Sequence, residues 1–287
     1  MAKSGQQKFG AAHTQIKLGA LFSYLPAYTT ALLNARFTLH YIDAFAGTGK
    51  CTIRMGARDR TIPGSAWLAL ECKPPFHKLL FIEKAPSKVR ELRELIANEH
   101  FEGRDCAIQE GDANQLLPAY LDQLGSGDRA VVNLDPFGMD VHWATLEKIA
   151  ASKIADVFYL FPLSSFYRQA AHDPRAIDAN KEAALKRLLG PHDWRAALYA
   201  PTPQADLFTG EGRDERTADA YRMAEWFTGC LKTIFPGVAD PHILYMRRPD
   251  GTRGAPLFAL YFLVSNPSDK AQTLAMKIAR AVFKRLQ

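Results

Sequence analysis

Tyr41-Ile42-Asp43-Ala44-Phe45-Ala46-Gly47-Thr48-Gly49 is the stretch whose reading decides the fold. The run from Phe37 to Phe45 is apolar enough for a buried strand, Asp43 interrupts it near its carboxyl end, and Gly47 and Gly49 follow. A strand that ends in a glycine turn and opens a helix is how open α/β sheets build a cofactor site. The glycines let backbone N–H groups approach a ligand with no side chain in between. Three ligands compete for such a turn. A phosphate-binding P-loop needs G-x-x-x-x-G-K-[ST]; Gly49-Lys50 is present, but Ala44 stands in the first glycine slot and Cys51 in the hydroxyl slot. A dinucleotide fingerprint needs a third small residue, where Thr52 stands. S-adenosylmethionine has no phosphate and carries a sulfonium and an ammonium, so a carboxylate ahead of the turn suits it. Local charge therefore favours S-adenosylmethionine, with a ligand-free structural turn as the bland alternative.

Working outward, four strand ends stand out. Lys78-Leu79-Leu80-Phe81-Ile82-Glu83 reads as a second strand. An acid there accepts hydrogen bonds from ribose hydroxyls in nucleotide-binding sheets; a surface acid at a strand end is the alternative. Cys106 to Gln109 is a short third strand, followed by Gly111-Asp112-Ala113-Asn114. Asp112 is placed to meet an adenine amino group, to cap the next helix, or both. Ala130 to Leu134 is a fourth strand that leaves through Asp135-Pro136-Phe137-Gly138. The Asp135 carboxylate and the Pro136 carbonyl can accept hydrogen bonds from one –NH2 group, and Phe137 offers a face for a planar base. Such a clamp would align a weakly nucleophilic arylamine with a methyl donor, where orientation is much of the catalysis. A tight Pro-Gly turn with a capping Asp is the plain reading of the same residues. Ala155 to Phe161 is a fifth strand, and Phe166, Tyr167 and Arg168 beyond it are candidates to line a base pocket, though packing and solvation explain them too.

The remaining segments frame these ends. Residues 1–13 are polar and expected to fray. Thr14 to Asn34 carries apolar residues at helical spacing, with Pro26 expected to kink the helix; His13 and Lys17 read as a solvated face more readily than as ligand contacts. Lys50 to Pro63 reads as a long exposed loop with Arg54, Arg58 and Arg60, and Ser65 as a cap of the helix after it. Ala85 to Ala97 is an amphipathic helix with Val89, Leu92, Leu95 and Ile96 inward. Trp143 reads as core. Residues 169–237 change character to helices and a polar loop over Pro201 to Arg216. His242 to Arg248 and Pro256 to Ser265 form an antiparallel hairpin around the Pro249-Asp250-Gly251-Thr252 turn, and Ser268 to Arg285 is a basic amphipathic helix. Three parts follow: 1–168, a Rossmann-like core with its N-terminal helix; 169–237, a helical insertion suited to substrate recognition; and 238–287, which completes the core.

Composition narrows the function classes. The chain has 287 residues, of which 47% are hydrophobic, and a net charge of +6, compatible with a nucleic-acid partner. Four separated cysteines without a C-x-x-C pair argue against a zinc site or a disulfide framework, so no metal is expected and a reducing, cytoplasmic setting fits. No segment has the length of a membrane span.

The order strand–Asp–glycine turn, strand–Glu, strand–Asp, strand–Asp-Pro and terminal hairpin resembles the Rossmann-like S-adenosylmethionine-dependent methyltransferases. More narrowly, Asp43 to Gly49, Pro63-Gly64-Ser65, Phe81-Ile82-Glu83, Gly111 to Asn114 and Leu134 to Gly138 are similar to the three-Cys-motif partner (TcmP) family, over about Lys17 to Arg168. The resemblance implies a cofactor held by Asp43, Phe45, Gly47 and Gly49, with Glu83 on the ribose and Asp112 and Ala113 near the adenine. It also implies a radical-SAM-like three-Cys-motif protein as partner. Amino-methyltransferases typically carry two prolines and an aromatic after the acidic residue; here Phe137 replaces the second proline and Gly138 the aromatic, which is closer to tRNA guanine-N2 methyltransferases. The expectation is N-methylation of an exocyclic base amine in RNA or DNA. The alternatives are a non-catalytic subunit that keeps the fold, and an NTPase using Gly49-Lys50 and Asp135.

Overall fold

Strands and helices alternate through the first half of the chain, and the strands assemble side by side into one sheet. The computed structural model describes residues 9–55, 58–202, 213–248 and 250–285. After a two-residue strand β1 (Phe9–Gly10) come helix α1 (Ala11–Leu32) and strand β2 (Thr38–Asp43). Strands β3 (Lys50–Met55) and β4 (Arg58–Pro63) precede α2 (Ser65–Glu71). The pairs β5 (Lys78–Glu83) with α3 (Pro86–Ile96), β6 (Cys106–Glu110) with α4 (Ala113–Leu121), and β7 (Asp128–Leu134) with α5 (Trp143–Ser152) follow, then β8 (Ala155–Phe161). Beyond β8 lie α6 (Leu163–Gln169), α7 (Ala179–Leu189), α8 (Trp194–Leu198), the pair β9 (Tyr199–Thr202) and β10 (Arg213–Arg216), and α9 (Ala220–Lys232). Strands β11 (Gly237–Val238), β12 (His242–Arg247) and β13 (Arg253–Val264) lead to α10 (Asp269–Lys284).

The main sheet runs β6-β5-β2-β7-β8-β13, with β11 and β12 both on the outer edge of β13. The strands from β6 to β8 are parallel, and β13 is antiparallel to β8. This is the mostly parallel Rossmann-like sheet with an antiparallel terminal hairpin. Strand order reverses at β2, which has β5 on one side and β7 on the other. In open α/β sheets the crevice lies at the carboxyl ends of the strands flanking such a reversal.

Both faces of the sheet are covered, which is why its strands read as near-continuous apolar runs. Alternate residues point to opposite faces. Ile42, Leu80, Val132, Val157 and Tyr159 pack with α4 to α7 and α9, while Tyr41, Phe81, Val131, Phe158 and Phe262 pack with α1, α2, α3 and α10. The segment that the sequence sets apart, 169–237, contributes Leu185, Leu188, Met223 and Phe227 to the first of these cores. The Phe227 ring stacks on Phe161 with centroids 4.0 Å apart.

Three expectations are corrected. Lys50 to Pro63 is a β-hairpin rather than a loop: β3 pairs β4 antiparallel, and β1 adds a parallel edge to β3. The hairpin follows from alternation at Cys51, Ile53 and Met55, with Ile53 1% exposed. Helix α1 starts at Ala11 rather than Thr14 and ends at Leu32, with Pro26 inside it as expected. Ser65 is not a cap; the N-cap of α2 is Gly64. The expected frayed start lies outside the described residues as far as residue 8, as do 203–212 of the polar loop and Pro249 of the hairpin turn.

Candidate functional site

The turn after β2 is organised by two carboxylates that face different ways. Asp43 is fully buried and aims inward. Its Oδ1 accepts from Asn133 Nδ2 at 3.2 Å and from the Phe45 N–H at 3.4 Å, and its Oδ2 from the Tyr41 hydroxyl at 3.2 Å. The Ser65 hydroxyl is a further donor. Burial pushes the Asp43 carboxyl up to about 6, although the Ser65 and Asn133 bonds pull it back; the charge of Asp135 adds to the rise. Asp43 therefore ties β2, β7 and the start of α2 together beneath the crevice floor. Gly47, at φ +63°, and Gly49, at φ +73°, adopt left-handed backbone that disfavours a side chain. A Cβ on Gly47 would meet nothing within 4 Å, whereas one on Gly49 would meet Leu95 at 2.2 Å. Gly47 thus opens on free space and Gly49 is the packed foot of the turn.

Glu83, 7% exposed, spans two turns: Oε2 accepts from Gly47 N–H at 3.0 Å and Oε1 from Ala85 N–H at 2.8 Å. It sets the spacing between the glycine turn and the start of α3. Asp112 caps α4 by accepting the Asn114 N–H at 2.9 Å. Burial would raise its carboxyl, but the Asn114 bonds outweigh that and hold it below the ordinary value. Its side chain stays 36% exposed, with Lys84 Nζ at 3.9 Å. Phe45 is half-buried and Ala113 buried, both on the inner face of this rim. Asn114 reaches from α4 into the segment after β7: its amide donates to Asp140 O at 2.8 Å, and its Oδ1 accepts from His142 N–H at 2.9 Å and the Thr145 hydroxyl at 2.8 Å. That clasp fixes the far end of the Asp135–Pro136–Phe137–Gly138 exit.

At that exit Asp135 pairs with Lys17, which α1 brings in from 118 residues away. The Lys17 side chain is 13% exposed and that of Asp135 27%. Burial would lower the Lys17 pKa, but the adjacent Asp135 charge and hydrogen bond prevail and raise it, so Lys17 stays an ammonium. Leu18, Leu21, Ser65, Asn133, Phe158 and Leu260 join the pair around a small cavity of about 10 Å³. His13, one turn earlier on α1, is held below the ordinary imidazole value by burial and then by the Lys17 charge. Pro136 is buried, while Phe137 is 41% exposed with Lys88 Nζ 4.2 Å from its ring centroid.

The structure brings Asp43, Gly47, Glu83, Asp112 and Asp135 to the carboxyl-end edge of one sheet. The three residues after β8 separate. Phe166 is fully buried among Phe161 and Trp226, so it cannot line a base pocket; α6 turns its apolar face into the core. Tyr167 is 39% exposed and faces the Arg216 guanidinium, 3.4 Å from its ring centroid. Arg168 is exposed and bonds Ser165 Oγ at 3.2 Å. Sequence reading undervalued Lys17 and did not single out Asn133, Asn114 or the Ser65 hydroxyl as site residues. The one local signal was a polar residue in an apolar run: Asn133 interrupts Val131-Val132-Asn133-Leu134 as Asp43 interrupts β2. Among the described residues no group of His, Cys, Asp and Glu could hold a metal ion, and no helix is long and apolar enough to cross a membrane.

No family model matches the chain, and no curated protein matches it. Among solved structures, protein LPL1258 from Legionella pneumophila str. Philadelphia 1, described under the family model DUF519, is similar with a TM-score of 0.53 and 11% identity, over 96% of this chain and 92% of that one. The N-terminal domain of EvdMO1 with SAH bound aligns at a TM-score of 0.41 and 13% identity, over 85% of this chain and 80% of its own. An S-adenosylmethionine-dependent methyltransferase from Clostridium acetobutylicum ATCC 824 aligns at 0.36 and 10%, over 88% and 96%. The likeness to the Legionella protein, at 11% identity, shows a shared fold that extends over almost the whole of both chains.

Proposed function

We propose that the chain is an S-adenosylmethionine-dependent methyltransferase that acts on an exocyclic amine of a nucleic-acid base. The observation that carries this reading is the Asp135–Pro136–Phe137 exit of β7, which stands beside the glycine turn at the strand reversal and presents a half-buried carboxylate next to an exposed ring. A cationic nucleoside cofactor fits the residues present. The backbone at Gly47 faces open space, and the Asp112 carboxylate is exposed on the same rim. A triphosphate fits less well: the glycine turn runs into strand β3 rather than a helix N-terminus, so Lys50 has no phosphate cradle to serve. Asp43 acts on the cofactor through the floor it builds, and Glu83 through the turn it holds, with Phe45 and Ala113 lining that side.

S-adenosylmethionine, when bound, supplies a methyl group on a sulfonium, which a nitrogen lone pair displaces in line. The residues of this chain hold the nitrogen. Asp135 and the Pro136 carbonyl accept its N–H bonds, and Phe137 stacks on the ring that bears it, as expected where a base leaves its stack to react. Asp135 would also be the residue to take up the proton that the nitrogen gives up on methylation. The motifs similar to the three-Cys-motif partner proteins support placing the activity in that family, with a radical-SAM-like protein as a partner to test by copurification. The test is mass spectrometry of RNA and DNA incubated with the protein and isotopically labelled S-adenosylmethionine. Asp135→Ala is expected to keep cofactor binding and lose transfer. Cofactor binding with no labelled base would instead support a non-catalytic subunit or a different acceptor.

A further inference from the structure

Asp135 does not meet its substrate as a bare carboxylate. Lys17 occupies one of its oxygens, Oδ2. The lysine is not a stray surface cation. Leu18, Leu21, Leu25 and Tyr28 on the same helix are buried, and two turns further along the Tyr24 hydroxyl donates to Asp156 on β8 at 2.6 Å. Helix α1 packs against α2, β3, β12 and α10, so the ammonium is delivered by a fixed element.

We propose that Lys17 determines substrate class: by neutralising Asp135 it makes this end of the crevice a receptor for an uncharged amine and rejects a cationic one. The claim rests on the methyltransferase reading above. A lone, half-buried carboxylate attracts ammonium groups by charge. One already paired with a fixed ammonium offers an incoming cation no net attraction, and the lysine charge repels it at short range. A neutral –NH2 group loses nothing, because it needs only an acceptor atom. The filter matches the chemistry. Exocyclic base amines are uncharged near neutral pH and keep the lone pair that attacks the methyl group, whereas aliphatic amines such as lysine, with a pKa of about 10.4, are protonated and have none to offer. Lys17 is thus a positioning and selecting residue, one step removed from the reacting atoms.

The test compares the wild type with Lys17→Met, Lys17→Gln and Lys17→Arg. Transfer of labelled methyl is followed to two acceptors, a mixed pool of unmodified RNA and DNA and poly-L-lysine, while calorimetry follows S-adenosylmethionine binding. Lys17→Met and Lys17→Gln are expected to bind the cofactor at least as well as the wild type, since a nearby positive charge has gone. Their preference for nucleic acid over poly-L-lysine is expected to fall by about tenfold or more, with Lys17→Arg keeping most of it. Melting temperatures identify a variant that has lost its fold, and Lys17→Gln, which keeps a donor without the charge, stands in should Lys17→Met do so. Unchanged preference in folded Met and Gln variants would overturn the proposal and leave the methyltransferase reading intact. A wild type that neither binds the cofactor nor transfers methyl would overturn both.

Discussion

Replacing Gly49 by Ala tests whether the glycine turn is built as described. Its φ of +73° lies in left-handed backbone, where a side chain costs about 1–2 kcal/mol. The added Cβ would also sit 2.2 Å from Leu95 Cδ2 and 3.3 Å from Leu92 Cδ1, both on buried leucines of α3. Leu95 is a side chain that can turn, but it is 4% exposed and has little room to do so; such overpacking costs about 1–3 kcal/mol. The sum is about 2–5 kcal/mol. Gly47 is the matched control: its φ of +63° carries the same backbone term, and a Cβ there meets nothing within 4 Å. Gly47→Ala should therefore lose only about 1–2 kcal/mol. At about 2–4 °C per kcal/mol, the Gly49 variant should melt roughly 4–20 °C below the wild type and below the Gly47 variant. Urea unfolding followed by circular dichroism, run on the three proteins together, gives the energies directly. If the two variants fall within about 0.5 kcal/mol of each other, the packed foot of the turn is not where we place it.

Glu83→Gln leaves one carbonyl oxygen for the two N–H groups of Gly47 and Ala85, so stability should drop by about 1–3 kcal/mol with a parallel loss of cofactor affinity; calorimetry and urea unfolding would read both. Asp156 has its carboxyl pushed up to about 7 by burial, against the pull of the Tyr24 hydroxyl. Its folded pKa lies above the unfolded value, so its contribution is fully present below about pH 4, declines as pH rises towards 7 and is flat above, a span of at most about 4 kcal/mol. The difference in urea stability between wild type and Asp156→Asn should follow that curve, and a difference independent of pH would contradict it. Phe137→Ala should weaken nucleic-acid binding by about tenfold through lost stacking, yet leave the melting temperature nearly unchanged because the ring is 41% exposed; equal affinities in a filter-binding assay would count against the base platform.

The sheet was legible because its strands are buried on both faces. Runs such as Leu79 to Ile82 and Val157 to Phe161 are apolar at every position, and each acid that breaks or ends a run marks a carboxyl end. Local signals likewise gave Asp112 as a cap and Trp143 as core, both observed. The hairpin of β3 and β4 was hidden because only three apolar residues alternate along β3 among basic neighbours, and its third strand comes from Phe9–Gly10, far back in the chain. Phe166 misled because an aromatic after a crevice-side strand end suits a pocket as well as a core, and only the turn of α6 separates the two. Lys17 was read as solvated for the most general reason: an ion pair leaves no trace in local sequence when its partner comes 118 residues later.

That separation bears on how the molecule assembles. Two polar anchors of α1 lie far downstream, at Asp135 on the exit of β7 and at Asp156 on β8, 118 and 132 residues after their partners. A ribosome therefore releases this helix well before either carboxylate exists for it to grip. Until β8 has emerged, its apolar side, including Leu21, Leu25 and Tyr28, has no finished surface to bury against. Closing such long loops is slow, so the Lys17–Asp135 and Tyr24–Asp156 contacts are completed late, and the nascent helix needs shielding while it waits.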